Sequence, residues 1–262
     1  MRLMKIFLAT LMAMMMSLSI TSCINGEDNT KRDNEPIIGQ VKDGTFGLSF
    51  INLTSYDYLG YTAVSKNMPT DMPTLYSGDF ILTACSYDTQ TDVDNANKTM
   101  NVTVNYVEKI SGNSVIGTTK SEDDSEGSLY KSNRGIKSLN EAGAPNMIDN
   151  YNLFMGISYF GQEKASDHTF SLVYHTDASE MTGTTLKIYL RHTSQETQDK
   201  ETYAGFSYKI FNLSQPLTEF RSVTGNYPTT ITIVAEINNV DASVPNTTTN
   251  VTMSYKYTEP QS

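Results

Sequence analysis

The apolar residues of this chain recur at every second position over most of its length. Val102, Val104 and Tyr106 alternate with Thr103 and Asn105, and Leu153, Met155, Ile157 and Tyr159 alternate with Phe154, Gly156 and Ser158. The same period runs through Phe170, Leu172 and Tyr174, through Leu186, Ile188 and Leu190, and through Phe206, Tyr208 and Ile210. It closes with Ile231, Ile233, Ala235 and Ile237, then Val251, Met253, Tyr255 and Tyr257. A period of two lays one face of an extended segment on a core and the other in water, as in antiparallel sheets. The abundance of Thr, Tyr and Val agrees with strand propensity. No amphipathic helix of a dozen residues stands out; a short helical turn fits near Lys137–Ala142. The expected fold class is all-β.

The start of the chain obeys a different rule. Arg2 and Lys5 precede an apolar run from Ile6 to Ile20, and Ile20-Thr21-Ser22-Cys23 reads as a bacterial lipobox. The expectation is a cleaved lipoprotein signal peptide over 1–22 and a lipid on Cys23. The run is too short and too Met-rich for a stable membrane span. Each acyl methylene that enters a bilayer contributes about 0.8 kcal/mol, so several chains would hold the protein on a membrane of the cell envelope. Residues 23–40 are polar and charged with no apolar period, and read as a lipidated flexible tether.

If Cys23 is lipidated, Cys85 is the one remaining thiol and no intrachain disulfide forms. Stability must then come from packed apolar core. Cleavage after residue 22 removes Arg2 and Lys5 and takes the formal net charge from -10 to -12. Such an acidic chain lacks the basic patch that phosphate neutralisation needs, so nucleic acid is excluded as a partner.

Two stretches interrupt the strand pattern. Residues 89–97 lie between apolar runs and read as a hairpin loop. Residues 111–135 hold Glu122, Asp123, Asp124 and Glu126 among Gly and Ser, and read as a long loop or interdomain linker. The expected division is a β domain over 41–135 and a β-sandwich over 136–262.

The strand order carries a resemblance. Tyr151-Asn152-Leu153 opens a strand that ends Gly156-Ile157-Ser158-Tyr159, followed by the runs 168–174, 186–192 and 206–210. This order resembles the C-terminal domain of NigD-like lipoproteins of Bacteroidetes, and the runs 77–83 and 102–110 resemble later strands of that family's N-terminal domain. The resemblance implies a lipid anchor, an OB-like N-terminal barrel and a C-terminal immunoglobulin-like β-sandwich, with no catalytic residue to carry over. Glu27 and Asp28 resemble the acidic signal that sends lipoproteins to the cell surface in that phylum, though the patch is short and offset. The expected location is the outer membrane, with surface exposure open.

Candidate chemistry is sparse. A hairpin turning between Thr176 and Thr185 would bring His168 and His192 together across two strands, offering two imidazole ligands to zinc. No third ligand stands at a fixed spacing, and histidines at strand ends are commonly structural, so no metal and no cofactor is expected. Asp92, Asp94 and Asn97, or the 122–126 acids, offer oxygen ligands for calcium but miss the EF-hand spacing. No G-x-S-x-G elbow, H-E-x-x-H or phosphate-cradling loop occurs. Cys85 sits in an apolar run with no basic neighbour in sequence, the setting of an inert buried thiol.

The aromatics are the better clue to binding. Tyr56, Tyr58 and Tyr61 cluster, Tyr151, Tyr159 and Phe160 bracket a strand, and Trp is absent. Tyrosines stack on sugars and anchor protein contacts, though most rings fill cores. The chain therefore reads as a non-catalytic, membrane-anchored interaction protein whose ligand is an unidentified protein or glycan. The alternatives are a glycan-binding accessory of polysaccharide uptake, a bacteriocin self-protection protein, and a surface or fimbrial structural subunit.

Overall fold

The computed structural model describes residues 30–44, 47–53, 58–65, 67, 69–111, 115–125, 128, 130–139, 145–161, 168–195 and 203–258. The expected signal peptide, Cys23, Glu27, Asp28 and Tyr56 lie outside the described residues. Within them the chain is all-β and divides into two compact units, one up to Ser111 and one from Gly112 onward.

The first unit is a seven-stranded sheet. Its strands are β1 (Lys31–Asp43), β2 (Leu48–Asn52), β3 (Thr62–Ser65), β4 (Phe80–Asp88), β5 (Val93–Asp94), β6 (Thr99–Asn101) and β7 (Thr103–Lys109). They lie in the order β5-β6-β3-β2-β1-β4-β7. The tether expected over 23–40 is thus corrected from Lys31 onward, where β1 runs antiparallel between β2 and β4. Ile37 and Val41 supply the buried face. The polar residues before Pro36 hid the strand, because they pair through a bulge between Arg32 and Glu35, where Asn34 takes φ 54°. The loop expected over 89–97 also contains β5, which pairs with β6.

No described pairing joins β5 to β7, so the sheet is open and not the closed barrel expected for this unit. Its core gathers Ile37, Val41, Leu48, Phe50, Ile81, Cys85, Met100 and Val104. The Phe50 ring lies over Gly39 so closely that a Cβ there would stand 2.3 Å from its Cδ2.

The second unit has two sheets. β9 (Ile136–Ser138), β10 (Asn146–Met147), β11 (Asn152–Gly161) and β14 (Tyr203–Asn212) form the smaller one. β8 (Val115–Thr118), β12 (His168–His175), β13 (Thr185–Ser194), β15 (Thr230–Ala235) and β16 (Thr249–Ser254) form the larger, in the order β16-β15-β13-β12-β8. Leu153, Met155 and Ile157 of one sheet and Leu172, Ile188 and Ile233 of the other share a single core, which makes the unit a sandwich.

Three expectations change here. The boundary at 135 moves back, because β8 pairs with β12 and the stretch read as a linker belongs to the sandwich. The pairings β8–β12 and β13–β15 are parallel, where uniform alternation had suggested antiparallel sheets throughout. Lys137 lies in strand β9, not in a helical turn, and residues 140–142 fall outside the described residues.

Two short helices complete the described unit: α1 (Lys120–Asp124) and α2 (Ser214–Thr224). The second puts Leu217 and Phe220 on the core together with Leu213, a spacing of four and three. Pro216 sits in its first turn, where no intrahelical donor is needed. Gly225 closes it in the left-handed conformation at φ 83°.

Candidate functional site

The β12–β13 hairpin positions all three histidines. Its register sets Phe170 opposite His192 and His168 opposite Ser194, so the two imidazoles meet on the diagonal. His168 Nδ1 and His192 Nε2 are 2.9 Å apart, and His192 Nδ1 is 3.0 Å from the Gly135 carbonyl. A carbonyl only accepts, so Nδ1 of His192 carries the proton; its Nε2 then accepts from His168 Nδ1–H when both rings are neutral. Burial pushes His192 down to about 4. The facing nitrogens therefore bond to each other, in an aromatic stack with Phe170 (4.5 Å from His192) and Tyr159 (4.3 Å from His168). Among the described residues no three His, Cys, Asp or Glu side chains gather into a metal-binding group.

The third histidine belongs to a different arrangement. Residues of β12 and β13 that point away from the core build an outer face with Ser171, Val173, His175, Tyr189, Arg191 and Thr193. Over it lies α1, whose start carries a capping box: Thr119 Oγ1 accepts from the Glu122 N–H, and the Glu122 carboxylate accepts from the Thr119 N–H. The box fixes where the helix begins and thereby aims Asp123 at the sheet. Lys120 lashes the same turn down, its N–H donating to Asp177 at 2.6 Å and its ammonium to Glu180 at 2.9 Å.

Asp123 is 2% exposed, and one of its oxygens carries the cluster. Oδ2 accepts from Arg191 Nη2 at 2.6 Å and from His175 Nε2 at 3.1 Å. Arg191 Nη1 reaches Glu236 at 3.4 Å. The His175 ring stacks on Tyr189 at 4.6 Å, and the guanidinium lies 5.2 Å from the same ring. Asp123 Oδ1, Arg191 Nε, His175 Nδ1 and Glu236 Oε2 are buried with no hydrogen-bond partner among the described residues. So many unmet polar atoms in one place are uncommon in a native fold and invite water or a ligand. Beside Arg191 a cavity of about 60 Å³ opens, lined also by Ile116, Tyr130, Ser171, Val173 and Thr193.

The remaining candidates are structural. Of the acids expected as a solvated or calcium-binding cluster, Glu122 caps a helix and Asp123 is a buried ion-pair partner, while Glu126 lies outside the described residues. Asp94 spends its oxygens on the Ala96 and Asn97 N–H groups and the Asn97 amide, and Asp92 Oδ2 accepts from the Asp88 N–H. Tyr58 and Tyr61 pack on the first unit's core, Tyr58 edge-on to Tyr61 and Tyr87. Tyr159 is core, and Tyr151 joins Tyr257 and Tyr227 in a half-buried group against the sandwich. Burial pushes the Cys85 thiol up to about 11. Thr83 donates to the Ile37 carbonyl, which leaves its oxygen, 3.3 Å from Sγ, to accept from the thiol.

Sequence reasoning missed His175 and Arg191 as partners of Asp123, 52 and 68 residues away. One signal was available: Thr119-Lys120-Ser121-Glu122 is a capping-box spacing and marks a helix inside the presumed linker.

The fold can be compared with known proteins at this point. No protein-family model and no curated protein matches the chain. Solved structures do. A candidate lipoprotein from Bacteroides fragilis is 20% identical, with a TM-score of 0.66 over 86% of this chain and 99% of its own. A protein of unknown function from Bacteroides vulgatus is 13% identical, with a TM-score of 0.54 over 85% and 91%. A NigD-like immunity protein from Bacteroides caccae is 16% identical, with a TM-score of 0.50 over 79% and 89%. The chain has the fold of a NigD-like protein. The resemblance carried by its strand order therefore holds in three dimensions.

Proposed function

We propose that this chain is a non-catalytic, lipid-anchored protein of the bacterial cell envelope that acts by binding. The observation that carries the reading is the match to the Bacteroides fragilis candidate lipoprotein over 86% of this chain and 99% of the other, joined to the lipobox ending at Cys23. On this reading the first unit is an OB-like module with its sheet open, and the second an immunoglobulin-like module with two parallel pairings. The outer membrane is the proposed location, and the partner is a protein or a glycan. Labelling growing cells with a fatty-acid analogue tests the anchor. Label on the wild-type chain and none on Cys23→Ser supports it, and an unlabelled wild-type chain rejects it.

A second reading has its own support. The Bacteroides caccae protein of the same fold is a NigD-like immunity protein, which favours self-protection against a bacteriocin. Deleting the gene should then sensitise cells to the producing strain. An unchanged inhibition zone would count against this role and leave the anchor untouched.

A further inference from the structure

We propose that the cavity on the outer face of the larger sheet is a binding site for one uncharged sugar residue, entered edge first. This deepens the binding role proposed above and rests on it. The hydroxyls that line the cavity have no protein partner among the described residues and stay open to solvent. Ser171, Thr193 and Tyr130 make no side-chain hydrogen bond among the described residues. Three hydroxyls are therefore free to exchange water for a ligand that both donates and accepts, as a sugar hydroxyl does.

Charge narrows the class. Arg191, the one cation among the described residues that line the cavity, already faces the carboxylates of Asp123 and Glu236, so no positive charge is left over there to hold an anion. A cation would have to sit beside the guanidinium. An uncharged ligand incurs neither cost. The apolar part of the wall, Ile116, Val173 and the Tyr130 ring, offers a surface for the C–H face of a pyranose.

Size sets the mode of entry. A volume of about 60 Å³ exceeds several-fold the roughly 10–15 Å³ needed for one water and is smaller than an oligosaccharide demands. One edge of one ring fits. Ile116, Tyr130, Ser171, Arg191 and Thr193 are only half-buried, so the rest of a glycan can remain in solvent. The frame is rigid: Ser171 pairs with Arg191 and Thr193 with Thr169 across the β12–β13 ladder, while Val173 pairs with Ile116 of β8.

The test is a titration of the full chain, purified in detergent, with millimolar glucose, galactose, mannose, xylose and N-acetylglucosamine. Saturation-transfer NMR and calorimetry read the binding, and sodium acetate serves as the anionic control. The expected result is saturation transfer to at least one sugar, none to acetate, and at least tenfold weaker binding in the Ser171→Ala/Thr193→Val double variant. Those changes remove two hydroxyls at nearly constant shape, and an unchanged melting curve shows that the variant is folded. Silence from all five sugars, sugar binding that the double variant retains, or preferential binding of acetate each overturns the proposal. None of these outcomes bears on fatty-acid labelling at Cys23, so failure of the sugar site and failure of the lipoprotein reading remain separate.

Discussion

Among the described residues, the buried polar side chains of the N-terminal unit are Asn52, Ser65 and Thr83, whereas the C-terminal unit buries Asp123, Arg134, His168, His175 and His192. Both are built from strands of period two, and both lay an aromatic ring over a glycine on a neighbouring strand. Phe50 covers Gly39 in the first, and Tyr159 covers Gly205 in the second, where a Cβ would stand 2.5 Å from the ring. The difference lies in what covers the outer face of a sheet. In the second unit the turn of α1 carries an acid onto strand residues that would otherwise face water, and it turns them into a buried polar cluster. Apolar alternation alone builds a core; a covered outer face is where binding chemistry can arise.

That comparison can be broken most forcefully in the apolar core. Phe50→Ala should cost about 4 kcal/mol by urea denaturation, because it removes a fully buried ring and leaves a cavity beneath Gly39. A loss no larger than that of an exposed substitution such as Leu59→Ala would mean the first unit is not held by this core. In the second unit, Asp123→Ala should cost about 3 kcal/mol, since Arg191 and His175 lose their shared acceptor. Hydrogen exchange should quicken in β8, α1, β12 and β13. Replacing the cluster together, with Asp123→Leu, His175→Phe, Arg191→Met and Glu236→Leu, should recover most of that loss, because the desolvation of the charges disappears along with their pairing.

The histidine pair makes a pH prediction of a similar size. His192 is held neutral, its pKa depressed by burial from 6.5 to about 4. Between those values the unfolded chain binds more protons than the folded one, so stability falls as pH drops from 6.5 towards 4 and levels off below. The accumulated loss is about 3 kcal/mol, and it should shrink in His192→Asn. Denaturation curves that keep the same slope with pH in the variant would assign the acid lability to other groups.

Smaller effects sharpen the likeness between the units. Gly39→Ala and Gly205→Ala should each cost about 2 kcal/mol, because the ring above must move aside. A large effect at one site and none at the other would show that only one ring is locked. The smallest expected signal is at Cys85: with its thiol pushed up to about 11 and fully buried, it should resist iodoacetamide in the native protein and react after unfolding.

Much of the architecture was legible because burial follows alternation. Leu153, Met155 and Ile157, Leu186, Ile188 and Leu190, and Ile231 and Ile233 all face the sandwich core as their spacing foretold. The pattern misled where both faces of a strand are covered. Phe206, Tyr208 and Ile210 looked like the core side of β14, yet Phe211, one residue out of phase, joins the sandwich core while Tyr208 and Ile210 are also buried. Helix α2 escaped notice in the shadow of the strand before it; Leu217, Phe220 and the closing Gly225 were the signals to weigh. Of the candidate site, the pairing of His168 with His192 was readable from hairpin length. The Asp123 cluster was not, because acids among Gly and Ser look solvated until a sheet is placed beneath them.

The sequence by itself determined the all-β class, the core faces of most strands and the meeting of two histidines across a hairpin. Those are local properties, set by side chains two residues apart or by the length of one turn. Only the tertiary structure decided that β1 begins at Lys31, that the first sheet stays open, and that the stretch after Ser111 folds onto the sandwich. The same holds for the shared Asp123 oxygen and the cavity beside Arg191. Parallel pairing between strands such as β8 and β12 joins residues more than fifty positions apart, and no local period encodes which strand will supply the partner.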